Sequence, residues 1–138
     1  KYKGWGGGGF MAYEVVTDLN YTDVLPVPVD KNTWANAGPG AIRGLNRAFN
    51  RPLKKALSSE QANREMQLLR QEAIVSEHID VDVPKEAIDM RCIEHSLCEW
   101  DKYERVRLGE GKPRSRFTVD AQGWRNTKFF VGDVNWGR

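Results

Sequence analysis

Four side chains recur along one edge of the segment 84–108: Glu94, Cys98, Asp101 and Arg105. At about 100° per residue they fall in a narrow strip, a quarter turn from the apolar row Met90, Ile93, Leu97 and Trp100. Carboxylates at the edge of a core lose part of their hydration. That raises a pKa toward the range in which an acid or base works, and a neighbouring cation pulls it back down. Glu94 and Asp101 are therefore candidates for proton chemistry; the alternative is that both are helix-surface acids in local ion pairs with Lys102 and Arg105. Glu99 points nearly opposite the apolar row and is expected to face solvent or a partner. Cys92, His95 and Cys98 sweep about a third of the helix circumference, and His78 is the only other histidine. A tetrahedral metal site is not expected from that set. Cys98 reads as a small packing residue rather than a nucleophile.

The second chemical constellation is the stretch ANAGPGAIRGLNRAF, residues 35–49. Its glycines are expected to permit positive φ and a close approach to something bulky, with Pro39 fixing one dihedral between them. Ile42, Leu45 and Phe49 recur at helical spacing, while Arg43, Arg47 and Arg51 lie four apart on another, outward strip. Amides freed at a helix N-terminus beside cations suit an anion, and the large polyanion of that description is a nucleic-acid backbone. Gly38, Gly40, Arg43 and Arg47 are the candidate contacts there. Arg114 and Arg116, in the basic loop GEGKPRSRF, are candidates of the same kind. Beyond them Phe117, Trp124, Arg125, Lys128, Phe129, Phe130 and Trp136 interleave rings with cations, which suits either stacking on exposed bases or a tail packed back on the helices.

These groups need helices to hold them. FMAYEVVTDLNYT predicts a helix of about three turns with Met11, Val15, Val16 and Leu19 inward, and DVLPVPVDKNTW, with two prolines, predicts an extended connection. The turn Asn36–Gly40 then leads into a helix over Ala41–Phe49. Ser58 and Gln61 fit a capping box opening a third helix, with Met66, Leu69 and Ala73 on one face. Pro84 suits a first helical position, from which the pattern predicts an unbroken helix to Gly109. The tail from Phe117 reads as a short strand or as irregular turns. The fold expected is mainly α, a helical bundle with an irregular C-terminal tail.

With 138 residues the chain fits a single domain, residues 1–138. It starts at Lys1, which suggests a piece of a longer protein. Its net charge of +2 conceals an uneven distribution. Residues 41–70 carry 7 basic against 2 acidic side chains, residues 71–101 carry 2 against 9, and residues 102–138 carry 9 against 4. Such blocks fold either into a basic face beside an acidic pocket or into oppositely charged helices that pair with one another. No apolar run of about 18 residues is present, so no membrane span is expected. With only Cys92 and Cys98, a disulfide framework is not expected, and an intracellular location is the default. The glycines at 6–9 are not followed by Lys-Ser or Lys-Thr, so this run is not a nucleotide-binding P-loop.

GGFMAYEVVTDL, NAGPGAIRGLNRAF and IEHSLCEWDKYERVR, in that order, resemble the helical domain of phage thymine-hypermodification proteins, described as α-glutamyl/putrescinyl thymine pyrophosphorylases and as the helical domain of 5-hydroxymethyluracil DNA kinases. The resemblance spans about residues 4 to 117. More remotely it extends to helical DNA glycosylases, whose helix-hairpin-helix lends Gly-x-Gly amides to a DNA phosphate; AGPGAIRGL can be laid on that turn with Gly38 and Gly40 as its glycines. Ile42 stands where such glycosylases often carry a lysine, and their four-cysteine cluster loop is missing, so base excision is not implied. The resemblance implies DNA as partner, with 5-hydroxymethyluracil or its phosphorylated form as substrate and group transfer at the base substituent. It implies a transferase, or else a non-catalytic DNA-binding module attached to a P-loop kinase domain upstream or in trans; no cofactor is expected. In the first case Glu94, Asp101 and Lys102 line the pocket, Glu94 acting as general base and Lys102 neutralising departing phosphate charge. For a viral member the implied setting is the host cytoplasm or nucleoid.

Overall fold

The structure, a computed structural model, describes residues 9–76 and 84–111. Among these the regular elements are α1 (Phe10–Leu19), α2 (Pro39–Ala48), α3 (Ser59–Val75), a 3₁₀ turn at Lys85–Ala87, and α4 (Met90–Arg107). No described residue is in a strand, in keeping with the expected mainly-α class. The tail expected to hold a strand or turns, with Arg114, Arg116 and the aromatic series, lies outside the described residues.

The centre of the fold is the crossing of α2 on α4, and glycine makes it possible. Gly40 and Gly44 lie one helical turn apart on the face of α2 that meets α4. A Cβ on Gly44 would stand 2.5 Å from the Leu97 carbonyl oxygen, and one on Gly40 would overlap the Cys98 sulfur. Neither Gly38 nor Gly40 adopts the left-handed conformation expected of them: Gly38 is extended at φ −71°, ψ 170°. These glycines serve by lacking a side chain, and the bulky object they approach is protein. Gly38 is covered by the Phe10 ring, 2.7 Å from where its Cβ would stand, and Gly40 and Gly44 are covered by α4.

Around this crossing Ala35, Ala41, Leu45, Ala62, Met66, Met90, Ile93 and Leu97 form one core. Full burial of Leu45, Met66 or Met90 contributes about 1.5–3 kcal/mol each by removal of apolar surface from water. Leu69 and Ala73 pack against that core beside Met66, as the α3 pattern predicts. Ser58 caps α3 by accepting from the Gln61 amide at 3.1 Å. Both α2 and α4 close on a residue in the left-handed region, Asn50 at φ 50° and Gly109 at φ 68°. In each case the following amide returns to a carbonyl in the last turn, Arg51 to Asn46 at 2.7 Å and Glu110 to Arg105 at 2.9 Å.

The last helix differs from expectation at both ends of its pattern. The helix does not run unbroken from Pro84: after the 3₁₀ turn the chain opens at Ile88 and Asp89, and Asp89 caps α4 by accepting from the Cys92 amide at 2.9 Å. An aspartate carboxylate offers the backbone a cap in place of helix continuation. The inward row then continues from Leu97 to Asp101, 0 % exposed, rather than to Trp100, 39 % exposed.

The first helix is also differently faced. Its expected inward residues Met11, Val15 and Val16 are exposed, because α1 is clasped through Phe10, Tyr13 and Glu14 instead. Tyr13 meets Trp34 edge to face with centroids 5.5 Å apart. Among the described residues α1 brings its backbone close to no other helix, so these side chains are what hold it.

Candidate functional site

The acidic strip of α4 and the arginine strip of α2 face one another and neutralise each other. Asp101 is fully buried and accepts from Arg43 Nε at 2.7 Å and Arg47 Nε at 3.2 Å. Arg47 also pairs with Glu110, and that hydrogen bond is the main reason its pKa rises. Arg51, the third member of the arginine strip, pairs Glu65 of α3 through both guanidinium nitrogens at 2.6 Å, which holds the Glu65 carboxyl below its usual range. The strip expected to face outward is therefore largely drawn in: the Arg47 side chain is 9 % exposed and that of Arg43 32 %. Pairing of oppositely charged segments, rather than a free basic face, is the outcome here.

A second knot joins three elements at the start of α2. Glu94, 1 % exposed, accepts from the Gly38 amide at 3.4 Å and from Arg91 at 3.1 Å. Arg91 reaches on to Glu14 of α1 with two bonds of 2.6 and 2.7 Å and lies over the Tyr13 ring at 5.2 Å. Burial raises the Glu94 carboxyl above the usual range, opposed by the Gly38 hydrogen bond and by Arg91. The Arg91 hydrogen bond holds Glu14 below it. Burial likewise pushes the Tyr13 phenol up to about 12, so it stays protonated at neutral pH. Glu14, Glu94 and His95 bring ligand atoms within 4.8 Å of one another, the group among the described residues able to hold a metal. Arg91 already supplies the cation there.

The residues expected to share one pocket are thus distributed. Glu94 and Asp101 sit on the same face about two turns apart, each inside its own ion-pair knot. Lys102 does not join them: it is half-exposed and pairs with Glu99, which raises its pKa. Glu99 faces out as expected. Cys98 packs under Gly40, its thiol raised by burial. Gly38 uses its amide on Glu94, so a carboxylate of the protein itself sits at the α2 N-terminus. The turn also differs from a hairpin between adjacent helices, because residues 20–38 separate α1 from α2.

The structure brings out two surfaces that sequence reasoning missed. One is a shallow concavity lined by Ala37, Pro39, Ile42, Arg43, Leu53, Lys54, Lys55 and Ala56. Its loop is tied down by the buried Asn46, whose amide nitrogen donates to the Leu53 and Lys55 carbonyls at 3.2 and 2.9 Å. Lys54 and Lys55 are exposed, and neither enters an ion pair among the described residues. The lysine pair after Pro52, within the basic block, is the sequence signal that marks it. The other is a cleft between α1 and the loop before α2, lined by Tyr13, Val16, Trp34 and Arg91 among others.

A family model for the helical domain of 5-hmdU DNA kinases matches residues 1–113. The chain belongs to that family. The match covers most of the sequence and includes every described residue, α1 through α4 and the loops that carry both surfaces. Comparison with curated proteins and with solved structures found no match. For this 5-hmdU DNA kinase helical domain, the bundle is thus the part the family shares. No described helix is long and apolar enough to cross a membrane.

Proposed function

We propose that this helical domain holds DNA for a 5-hydroxymethyluracil DNA kinase, with phosphoryl transfer to the base substituent carried out by a kinase domain outside this bundle. The observation that carries the reading is the concavity beside the α2 N-terminus, where Lys54 and Lys55 stand exposed next to the partly exposed Arg43. Cations on a shallow surface follow a phosphate backbone and position it without reading sequence. Gly38 and Gly40 serve this surface by setting the start of α2 on α4, and Arg43 belongs to both the concavity and the Asp101 knot. Arg47 supports it from behind through Asp101. Arg114 and Arg116 extend the same basic character along the chain.

The deciding experiment is fluorescence anisotropy with duplexes carrying thymine, 5-hydroxymethyluracil or its phosphorylated form, for the chain and for a Lys54→Ala/Lys55→Ala double variant. Salt-sensitive binding weakened at least tenfold by the double variant is expected; binding indifferent to salt and to both lysines would sink the proposal.

A catalytic reading, in which the domain takes part in group transfer at the base substituent, has one observation in its favour. Glu94 is a buried carboxyl with a raised pKa, as a general base or acid requires. Glu94→Gln in the complete kinase separates the two: lost turnover with DNA binding intact supports catalysis by Glu94, and unchanged turnover assigns it to the scaffold together with Asp101.

A further inference from the structure

The cleft between α1 and the loop before α2 encloses about 350 Å³, within the ~300–1,000 Å³ of small-molecule sites. Its walls are apolar and aromatic: Tyr13, Val16, Val27, Pro28 and Trp34. Tyr13 and Trp34 stand at 89° to one another, giving two rings in different orientations for a planar guest.

The polar groups decide what kind of guest. Asp30 and Asp89 are matched by Lys31 and Arg91, so the lining carries no formal excess of either sign and offers nothing particular to a free phosphate. Asp89 already caps α4, and Arg91 already pairs Glu14 and Glu94. Asn20, Asp30 and Lys31 remain, with no side-chain hydrogen bond among the described residues. A carboxamide, an acceptor and a donor around aromatic walls complement a neutral heterocycle whose edge alternates donors and acceptors.

Trp34 lines the cleft and Ala37 lines the basic concavity, three residues apart in the same segment. Three residues span at most ~11 Å. The near edges of the two surfaces, at Trp34 and Ala37, therefore lie no farther apart than that. The geometry points to this cleft as the seat of a nucleobase of the held strand, stacked on Trp34 or Tyr13 and bonded through its edge to Asn20, Asp30 or Lys31. The placement rests on the DNA-holding reading above; the affinity of the cleft for a base does not.

The test uses saturation-transfer NMR of the chain with the free nucleoside 5-hydroxymethyl-2′-deoxyuridine, and anisotropy with two strands differing only in that base or an abasic analogue at one position. Val16→Trp fills the cleft from an already exposed position of α1, and Trp34→Ala removes a wall; circular dichroism verifies that each remains helical. Transfer to the pyrimidine ring protons is expected in the unmodified chain, with at least a tenfold loss of nucleoside affinity in both variants. The base-bearing strand is expected to bind more tightly than the abasic one, and that ratio to fall toward one in Val16→Trp. Transfer and ratio untouched by both variants, or no transfer and a ratio of one in the unmodified chain, overturns the inference. Should the abasic strand still bind with steep salt dependence in that event, the DNA-holding reading stands alone. Should the nucleoside bind in the cleft while neither strand is held, the cleft stands and that reading falls.

Discussion

Asp101 shows how far a single charged side chain can depart from the helix surface that its chemistry suggests. Fully buried, it is the shared acceptor for Arg43 and Arg47. Removing it takes the counter-charge from Arg43, leaves Arg47 with Glu110 alone, and opens a cavity at the crossing, the costly way to break a buried pair. Asp101→Ala is expected to destabilise the fold by about 3 kcal/mol or more, read as a lower urea midpoint. A loss under about 1 kcal/mol would place the pair in the class of surface salt bridges. Glu94 ties stability to pH. Its folded pKa is raised, so the stability tied to its protonation is fully present below the unfolded carboxyl pKa and is lost as pH rises through the folded one. Glu94→Gln is expected to lack this decline, so its urea midpoint should gain on the parent's as pH rises from the unfolded carboxyl pKa through the folded one. Parallel profiles would refute that. Placement of both acids on one narrow strip is legible from their spacing. Burial is not, because Gly38, Arg43 and Arg47 come from the start and body of α2, more than fifty residues away in sequence, and only Arg91 is local.

At the scale of elements, the α2–α4 crossing depends on an absence. Gly44→Ala raises intrinsic helix propensity by about 1 kcal/mol but sets a methyl group against the Leu97 carbonyl. Backbone cannot yield as a side-chain tip can, and overpacking of this kind costs about 1–3 kcal/mol. A net loss of thermal stability is expected by calorimetry; a gain would mean that the helices separate freely. The attachment of α1 is different in kind, a clasp rather than a packed face. Glu14 has a lowered folded pKa, chiefly through its Arg91 hydrogen bond, so its contribution is present above the unfolded carboxyl pKa and is lost as pH falls through the folded one. Glu14→Gln is expected to speed amide hydrogen exchange across residues 10–19 at neutral pH, with α2 and α4 unchanged. Uniform acceleration throughout the bundle would instead make the clasp part of the global fold. The existence of all four helices is legible from periodicity and caps, Ser58 above all. The inner face of α1 is not, since a helix held by a ring, a carboxylate and an edge-to-face pair has no need to turn its aliphatic row inward.

Over the whole molecule, the alternating charge blocks resolve mainly into internal pairing, and Lys54 and Lys55, left exposed, are the surface on which the proposed DNA contact rests. The slope of log affinity against log salt on duplex DNA is expected to shrink by about 1.8 when both lysines become alanine, about 0.9 for each phosphate no longer neutralised. An unchanged slope would put the phosphate-binding cations elsewhere on the chain. By itself the sequence determined what local chemistry can decide: a helical class, the capped start of α3, the apolar rows of α3 and α4, and, through three short motifs in order, the family. Only the tertiary structure decided which charges meet. An arginine four residues from the next reads the same whether water or a buried aspartate faces it, and a glycine before a helix reads the same whether a phosphate or the Phe10 ring lies above it. Electrostatic partners and close approaches are properties of surfaces brought together across the chain, and no spacing within one segment encodes them.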